Sequence, residues 1–334
     1  MLFYVDESGS FTRAANALCS ISCVGVLCVP HSRADRLFAQ YQKLRRGFPK
    51  TPTGEAKGRL LNEMQVATII DLVRRSGCLF EVTACDHLEQ LDPTTHDHIV
   101  GQVHGLKSGL TDDHHPTLRA DVNALCDRLL VMPHNLYRQL VVQNDAIDRM
   151  IRHVIVYFAM RQPSELSRFV WHVDAKGNET SGITEWEDWW QSTLGAMMQA
   201  KSIREPIATI VEGDYSHFNK HFDVLPEFLR TSQRETGIDI RAVLMDQVHF
   251  NMSGTPGLEL VDILTNATRR ALVGNLKPEG WGELGRLIIR ERKQHRVRIM
   301  AIGAIEVLRM GRPYVRVLNT IDRFGRSMFP PERS

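Results

Sequence analysis

Three aspartates in this 334-residue chain stand where carboxylates can converge. Asp6 ends a short apolar run, LFYVD, and Asp174 ends another, RFVWHVD. Asp262 lies within PGLELVDILTNATRRAL, which has strong helical patterning. A carboxylate at a strand end projects from a rigid sheet edge, so several can meet at one point. Divalent-metal cleavage of a phosphodiester needs such a meeting: two ions ~3.5–4 Å apart, one activating water and the other stabilising the leaving oxygen. Hard oxygen ligands suit Mg²⁺ or Mn²⁺ rather than zinc. At about 100° per residue, Thr255, Glu259, Asp262, Asn266 and Arg269 share one helical stripe. Leu260, Ile263, Leu264, Ala267 and Ala271 fall opposite. Asp262 therefore sits on a polar face, which an ordinary solvated helix would also show. Glu55 and Lys57, in TGEAKGR, lie between Gly54 and Gly58. That spacing suits a backbone that must approach a ligand closely, and equally an exposed loop.

These residues can act together only if their elements fold side by side. The run at residues 2–6 and the Val-, Ile- and Cys-rich run Leu18 to Val29 predict an opening antiparallel pair, turned at Ser8-Gly9-Ser10. Leu37, Phe38, Tyr41 and Leu44 predict a helix over Ser32 to Leu44, and Gly47 to Gly58 a loop. A helix over Leu60 to Arg75 and a strand over Cys78 to Cys85 follow. Residues 92–165 show no strand pattern; Leu118 to Leu130 and Asn135 to Met160 predict helices of an insertion. Its histidines (His96, His98, His104, His114, His115) read as solvated loop residues, not a metal site. Arg168 to Asp174 predicts a strand and Ile183 to Ala200 a helix whose Trp186, Trp189 and Trp190 pack rather than stack bases. Ala208 to Val211 and Ile240 to Phe250 predict strands, with a helix near Asn219 to Thr231 between them. Thr255 is placed to cap the helix that Pro256 begins. Arg298 to Ile305 and Tyr314 to Leu318 predict a closing hairpin.

The composition, 43% hydrophobic and 24% charged, is that of an ordinary globular protein. No stretch reaches the ~20 apolar residues of a membrane helix. MLFYVDESGS lacks the basic start of a secretory signal. The six cysteines form no CxxC pair and sit mostly in apolar runs, which predicts buried reduced thiols and a cytoplasmic protein. Net charge is only +2, but nine basic residues face two acids between Arg286 and Arg316. Arg290, Arg292, Lys293 and Arg296 are expected to attract phosphate there, a solvated surface being the alternative.

FYVDESGSF, GEAKGR, HVDAKG and PGLELVDILTNATRRAL follow one another in an order that resembles the bacterial family catalogued as domain of unknown function 3800, regarded as RNase H-like. The matching motifs span residues 3–272, leaving 92–165 and the tail after about 275 uncovered. The resemblance implies a set of acids at Asp6, Glu55, Asp174 and Asp262, with Lys57 in the second motif. Glu259 and Val261 depart from it, standing where the family often has Gln and Ala.

The resulting expectation is an α/β fold: an RNase H-like mixed sheet flanked by helices, with a helical insertion. Residues 1–91 and 166–275 would form the core, 92–165 the insertion and 276–334 a basic C-terminal extension. Function is expected to be divalent-metal-dependent nuclease action on nucleic acid, RNA or DNA undecided. Asp6, Glu55, Asp174 and Asp262 would hold Mg²⁺ or Mn²⁺, and Lys57 would stabilise charge building on phosphorus. Asp6, Asp174 and Asp262 must then lie within about 10 Å of one another. Glu7 could orient a ligand or water, or be an exposed turn residue; Ser8 would cap the turn. No GxSxG, phosphate-binding glycine loop, GxGxxG or EF-hand spacing is present. Two other readings stay open: an inactive RNase H-like module binding nucleic acid or protein, and an enzyme acting on a small nucleotide.

Overall fold

The computed structural model describes residues 1–12, 20–89, 92–174, 189–205, 207, 209–222, 224, 227, 237–251, 254–291, 294–302 and 312–330. In chain order come β1 (Leu2–Ser8), β2 (Ile21–Val29), α1 (His31–Arg45), α2 (Glu63–Arg75) and β3 (Leu79–Asp86). Next are α3 (Asp92–Ser108), α4 (Pro116–Val131), α5 (His134–Ala159) and β4 (Val170–Asp174). Then follow α6 (Gly195–Arg204), β5 (His221–Phe222), β6 (Gly237–Ile238), α7 (Ile240–Leu244) and β7 (Gln247–Asn251). The chain ends with α8 (Pro256–Leu272), α9 (Pro278–Trp281), β8 (Arg298–Met300) and α10 (Tyr314–Ile321).

The fold is α/β, built on a mixed six-stranded sheet of order β7-β4-β1-β2-β3-β8. β1, β2 and β3 are successively antiparallel. β4 runs parallel to β1, β7 parallel to β4, and β8 parallel to β3. Every residue of β2, ISCVGVLCV, is buried. Such a continuous apolar run belongs to a strand covered on both faces, whereas a half-solvated strand would alternate.

Alternation along the strands assigns the two faces. Phe3, Val5, Trp171 and Val173 join one core with Leu140, Ile147, Ile151 and Val154 of α5. Tyr4, Cys23 and Leu27 join the other with Val66 and Ile69 of α2 and Leu260, Ile263 and Leu264 of α8. α8 lies very close to the sheet. A Cβ at Gly25 of β2 would come within 2.0 Å of the Thr265 hydroxyl, so glycine is what admits the helix here. The five described cysteines, Cys23, Cys28, Cys78, Cys85 and Cys126, are free and buried, as expected; Cys19 lies outside the described residues. Among the described residues no helix is long and apolar enough to cross a membrane.

The structure corrects several expectations. Residues 94–108 are helical: Thr95, Ile99, Val103 and Leu106 are buried at helical spacing, too sparse to stand out among polar neighbours. His98 lies on that helix, its ring Nδ1 2.7 Å from the Tyr137 hydroxyl. The segment Ile240 to Phe250 is a short helix and then a strand, because Asp239 caps the Ala242 N–H and starts a turn. Among the described residues the closing hairpin does not form; residues 303–305 of it lie outside them. Arg298–Met300 instead pairs with β3, and Tyr314, Val317, Leu318 and Ile321 bury one face of a helix. Residues 209–211 are not a strand, and Val211 is exposed. Asn219 and Lys220 form a turn before the short strand β5, with most of 223–236 outside the described residues. Trp190 is buried and Trp189 nearly so, while Trp186 lies outside the described residues.

On the α5 face the sheet buries a chain of charges. Glu81 of β3 is 0% exposed, and its Oε1 lies 2.6 Å from His153 Nδ1 of α5. His153 Nε2 is 2.6 Å from Glu291, and Arg149 pairs with Glu81 at 3.2 Å. Asp145 accepts from the Thr83 hydroxyl and from Arg298. Burial alone would depress the His153 pKa, but Glu81 and Glu291 outweigh it and hold the ring up at about 9. Because the folded value lies above the unfolded 6.5, the stability from charged His153 is complete below pH 6.5 and lost as pH rises through about 9. Thermal melts from pH 6 to 10 should show a loss on the order of 3 kcal/mol across that window. His153→Gln should flatten the profile; an unchanged profile would place the charge elsewhere.

Candidate acid site

The register brings Asp6 and Asp174 together. β1 and β4 pair from Leu2↔Val170 to Val5↔Val173, and one further step sets Asp6 beside Asp174. Parallel neighbours lie ~4.8 Å apart and their matched residues share a face. That face is the one α8 covers, since Tyr4 and His172, two residues earlier on each strand, stack there with ring centroids 4.9 Å apart. Asp6 is buried, and its Oδ1 accepts the Glu7 N–H at 2.8 Å. Alternation turns Glu7 toward the opposite face, whereas Ser8 returns to the Asp6 side and its hydroxyl accepts from Asn266 of α8. Ser8 thus fastens the end of β1 to the helix.

α8 carries the third aspartate across this edge. Thr255 caps it, accepting from the Leu258 N–H, and Pro256 opens it, as the sequence predicts. Asp262 Oδ2 accepts the Gly58 N–H at 2.6 Å. A Cβ at Gly58 would stand 2.7 Å from Asn266 Cβ and 2.9 Å from Ile263 Cα, so only glycine lets this backbone reach the carboxylate. Arg270 holds the same turn through the carbonyls of Gly58 and Leu61. Glu55 Oε1 accepts the Gly254 N–H at 2.9 Å, and its Oε2 lies 3.4 Å from Lys57 Nζ.

Lys57 lies in the field of all four acids and pairs with Glu55. Burial acts to lower its pKa, but the negative charges of Asp262, Glu55, Asp6 and Asp174 outweigh burial and raise it. Asp6 and Asp262 lie within hydrogen-bonding reach of one another. Two carboxyl groups so close repel one another when both are ionised. The Asp262 pKa is raised, by burial first and by the Asp174 charge, against the lowering influence of Gly58, Lys57 and Asp6. Glu55, Lys57, Asp174 and Asp262 are each half-buried, so the cluster opens to solvent on one side.

The donor set fits a hard divalent ion in its chemistry: four carboxylates against one ammonium, all oxygen donors. Asn266 Oδ1, one turn beyond Asp262, is a further buried oxygen with no hydrogen-bond partner. Among the described residues, however, no group of three or more His, Cys, Asp or Glu side chains is already disposed to hold a metal ion.

Glu259 is a residue whose part the sequence did not reveal. It is buried; its carboxylate accepts from the Tyr41 hydroxyl at 2.7 Å, from Arg45 and from the Ala56 N–H at 3.1 Å. It therefore ties α1 and the loop bearing Glu55 and Lys57 to α8. Its place on the Asp262 stripe was the only signal of this.

The basic residues expected to bind substrate lie elsewhere. Arg292 and Lys293 fall outside the described residues. Arg290 is exposed, but Arg296 is buried and donates to the carbonyls of Glu291, Gln294 and Phe324. The segment leads into β8, whose first residue, Arg298, pairs with Thr83 and is thereby level with Glu7 of β1. It is, however, three strand spacings, ~14 Å, to the side of β1. The structure does not bring these residues to the acids.

An acid whose folded pKa is raised above 3.8 costs stability once ionised, so that cost grows as pH rises from 3.8 through the folded value. In metal-free buffer at pH 7, Asp262→Asn should melt at a higher temperature than the parent chain, with the gain vanishing below pH 4. A lower melting temperature at pH 7 would contradict the electrostatic account. Comparison with known protein families, curated proteins and solved structures finds no match to this chain.

Proposed function

We propose that the protein is a divalent-metal-dependent nuclease with an RNase H-like core, in keeping with its resemblance to the domain of unknown function 3800 family. The observation that carries this is the convergence of Asp6, Glu55, Asp174 and Asp262 on Lys57 at one end of the sheet. A mixed sheet with helices on both faces accords with that reading of the fold. Asp6, Glu55, Asp174 and Asp262 would hold Mg²⁺ or Mn²⁺, which when bound supplies an activated water and a Lewis acid for the leaving oxygen.

The chain's own groups do the positioning. The N–H groups of Glu7, Gly58 and Gly254 each fix one carboxylate, so three acids are oriented by backbone that cannot rotate away. Lys57, its pKa raised by the acids beside it, would keep its proton and could meet a non-bridging phosphoryl oxygen as negative charge builds there. A fixed cation in a partly buried site needs little reorganisation at that moment. A second reading, an inactive module that binds nucleic acid, draws support from Lys57 already serving as counter-ion to the acids.

Labelled single-stranded RNA, duplex DNA and RNA–DNA hybrid, incubated with Mg²⁺, Mn²⁺ or EDTA, decide between them. Cleavage of at least one polymer is expected with metal, falling by about 10²-fold or more in Asp6→Asn, Asp262→Asn and Lys57→Met. Absence of cutting with any metal, while the variants still bind polymer, would leave the binding module.

A further inference from the structure

The sequence directs attention to the C-terminal arginines as the phosphate-binding surface, but a better-formed cationic surface lies between α1 and α2. Arg33, Arg36, Gln40 and Lys43 of α1 face Thr68, Asp71, Arg75 and Ser76 of α2 across one groove. On α1 the steps are three, four and three residues, which keeps all four side chains on one stripe. The neighbouring stripe, Ala34, Leu37 and Tyr41, about a third of a turn away, is buried against the core. Four cations line the groove against one acid. That acid is already committed, since Asp71 pairs with Arg74 at 2.7 Å and Arg75 at 2.6 Å. Among the described residues, no acid lies within ion-pair distance of Arg33, Arg36 or Lys43, and all three are exposed.

Position separates this patch from an ordinary solvated helix face. Two residues beyond Lys43, Arg45 binds Glu259 and donates to the Gly54 carbonyl at 2.7 Å. The C-terminal end of α1 therefore abuts the loop that carries Glu55 and Lys57 into the acid site. Ten residues from Arg33 to Lys43 rise ~15 Å, about four phosphates of one strand of a duplex at ~3.4 Å each. The neutral lining groups are Gln40, Thr68 and Ser76, which can hydrogen-bond, and the apolar Leu44 and Leu72; no aromatic ring lines the groove. Contacts of this kind grip a backbone without reading its bases, and a ring-free groove has no platform for stacking a single strand.

We propose that the α1–α2 groove binds the sugar–phosphate backbone of a nucleic acid, independently of sequence, and leads it to the acid site. The choice of nucleic acid as partner rests on the nuclease reading. The test is a salt titration of binding, made in EDTA on Asp262→Asn protein so that no cleavage enters. A fluorescent 24-base-pair duplex is the probe, and the triple variant Arg33→Gln/Arg36→Gln/Lys43→Gln is compared with its parent. The slope of log K against log[salt] should fall in magnitude by about 2–3 in the triple variant. Duplexes of unrelated sequence should lose affinity equally.

Hydrolysis of bis(p-nitrophenyl) phosphate with Mn²⁺, measured with Asp262 intact, should be the same in the triple variant and the parent, because the small diester does not reach the groove. If neither cleaves it yet the salt slope falls, the groove assignment stands and the nuclease reading fails. An unchanged slope overturns the groove assignment even where cleavage is robust. So does loss of binding to phosphatidylserine vesicles with duplex affinity unaltered, which would make the partner a membrane surface.

Discussion

Carboxylates held side by side in a half-buried place repel one another and lose hydration, and the acid end of this sheet is organised around meeting that cost. The parallel register of β1 and β4 sets Asp6 beside Asp174, and α8 lays Asp262 over them. Backbone N–H groups, the Lys57 ammonium and a shared contact between Asp6 and Asp262 offset the repulsion. A site so arranged is less stable than an apolar one of equal size. Strain of that kind is retained where the groups are needed for chemistry.

The neighbouring structure follows from holding those charges in place. Glycine at position 25 lets α8 lie directly on β2, and glycine at position 58 lets a loop backbone touch the helix. Glu259 then gathers Tyr41, Arg45 and Ala56, so one carboxylate joins α1, α8 and the loop of Glu55 and Lys57. The opposite face of the sheet solves a similar problem differently. There Glu81, Arg149 and His153 are buried and pair with opposite charges, the half-buried Glu291 closing the set. Charges paired so closely fix the position of α5 on the sheet, and a buried pair of this kind is costly to break.

Much of this was legible in the chain. A strand ending in Asp174 and a capped helix bearing Asp262 are patterns of local chemistry and appear where their periodicity places them, while the strand expected to end at Asp6 runs on to Ser8. What escaped was non-local. No spacing in the sequence says that β8 pairs with β3, or that Arg296 turns inward to serve carbonyls of its own loop. α3 escaped because few apolar residues mark its inner face, and α10 because Val315 and Val317 lie at strand spacing although the residues it buries, Tyr314, Val317, Leu318 and Ile321, lie at helical intervals. Glu259 looked like a surface acid because the residues that claim it, Tyr41, Arg45 and Ala56, are some two hundred positions away.

The central claim, that four acids are gathered to hold a divalent ion, is most directly tested by binding of Mn²⁺ followed by electron paramagnetic resonance. The parent protein should take up Mn²⁺ and release it on addition of excess Mg²⁺. Asp6→Asn, Asp174→Asn and Asp262→Asn should each weaken uptake by at least tenfold, while His153→Gln, on the other face of the sheet, should leave it unchanged. Mn²⁺ uptake that survives in all three aspartate variants, or no uptake by the parent protein, would contradict the account.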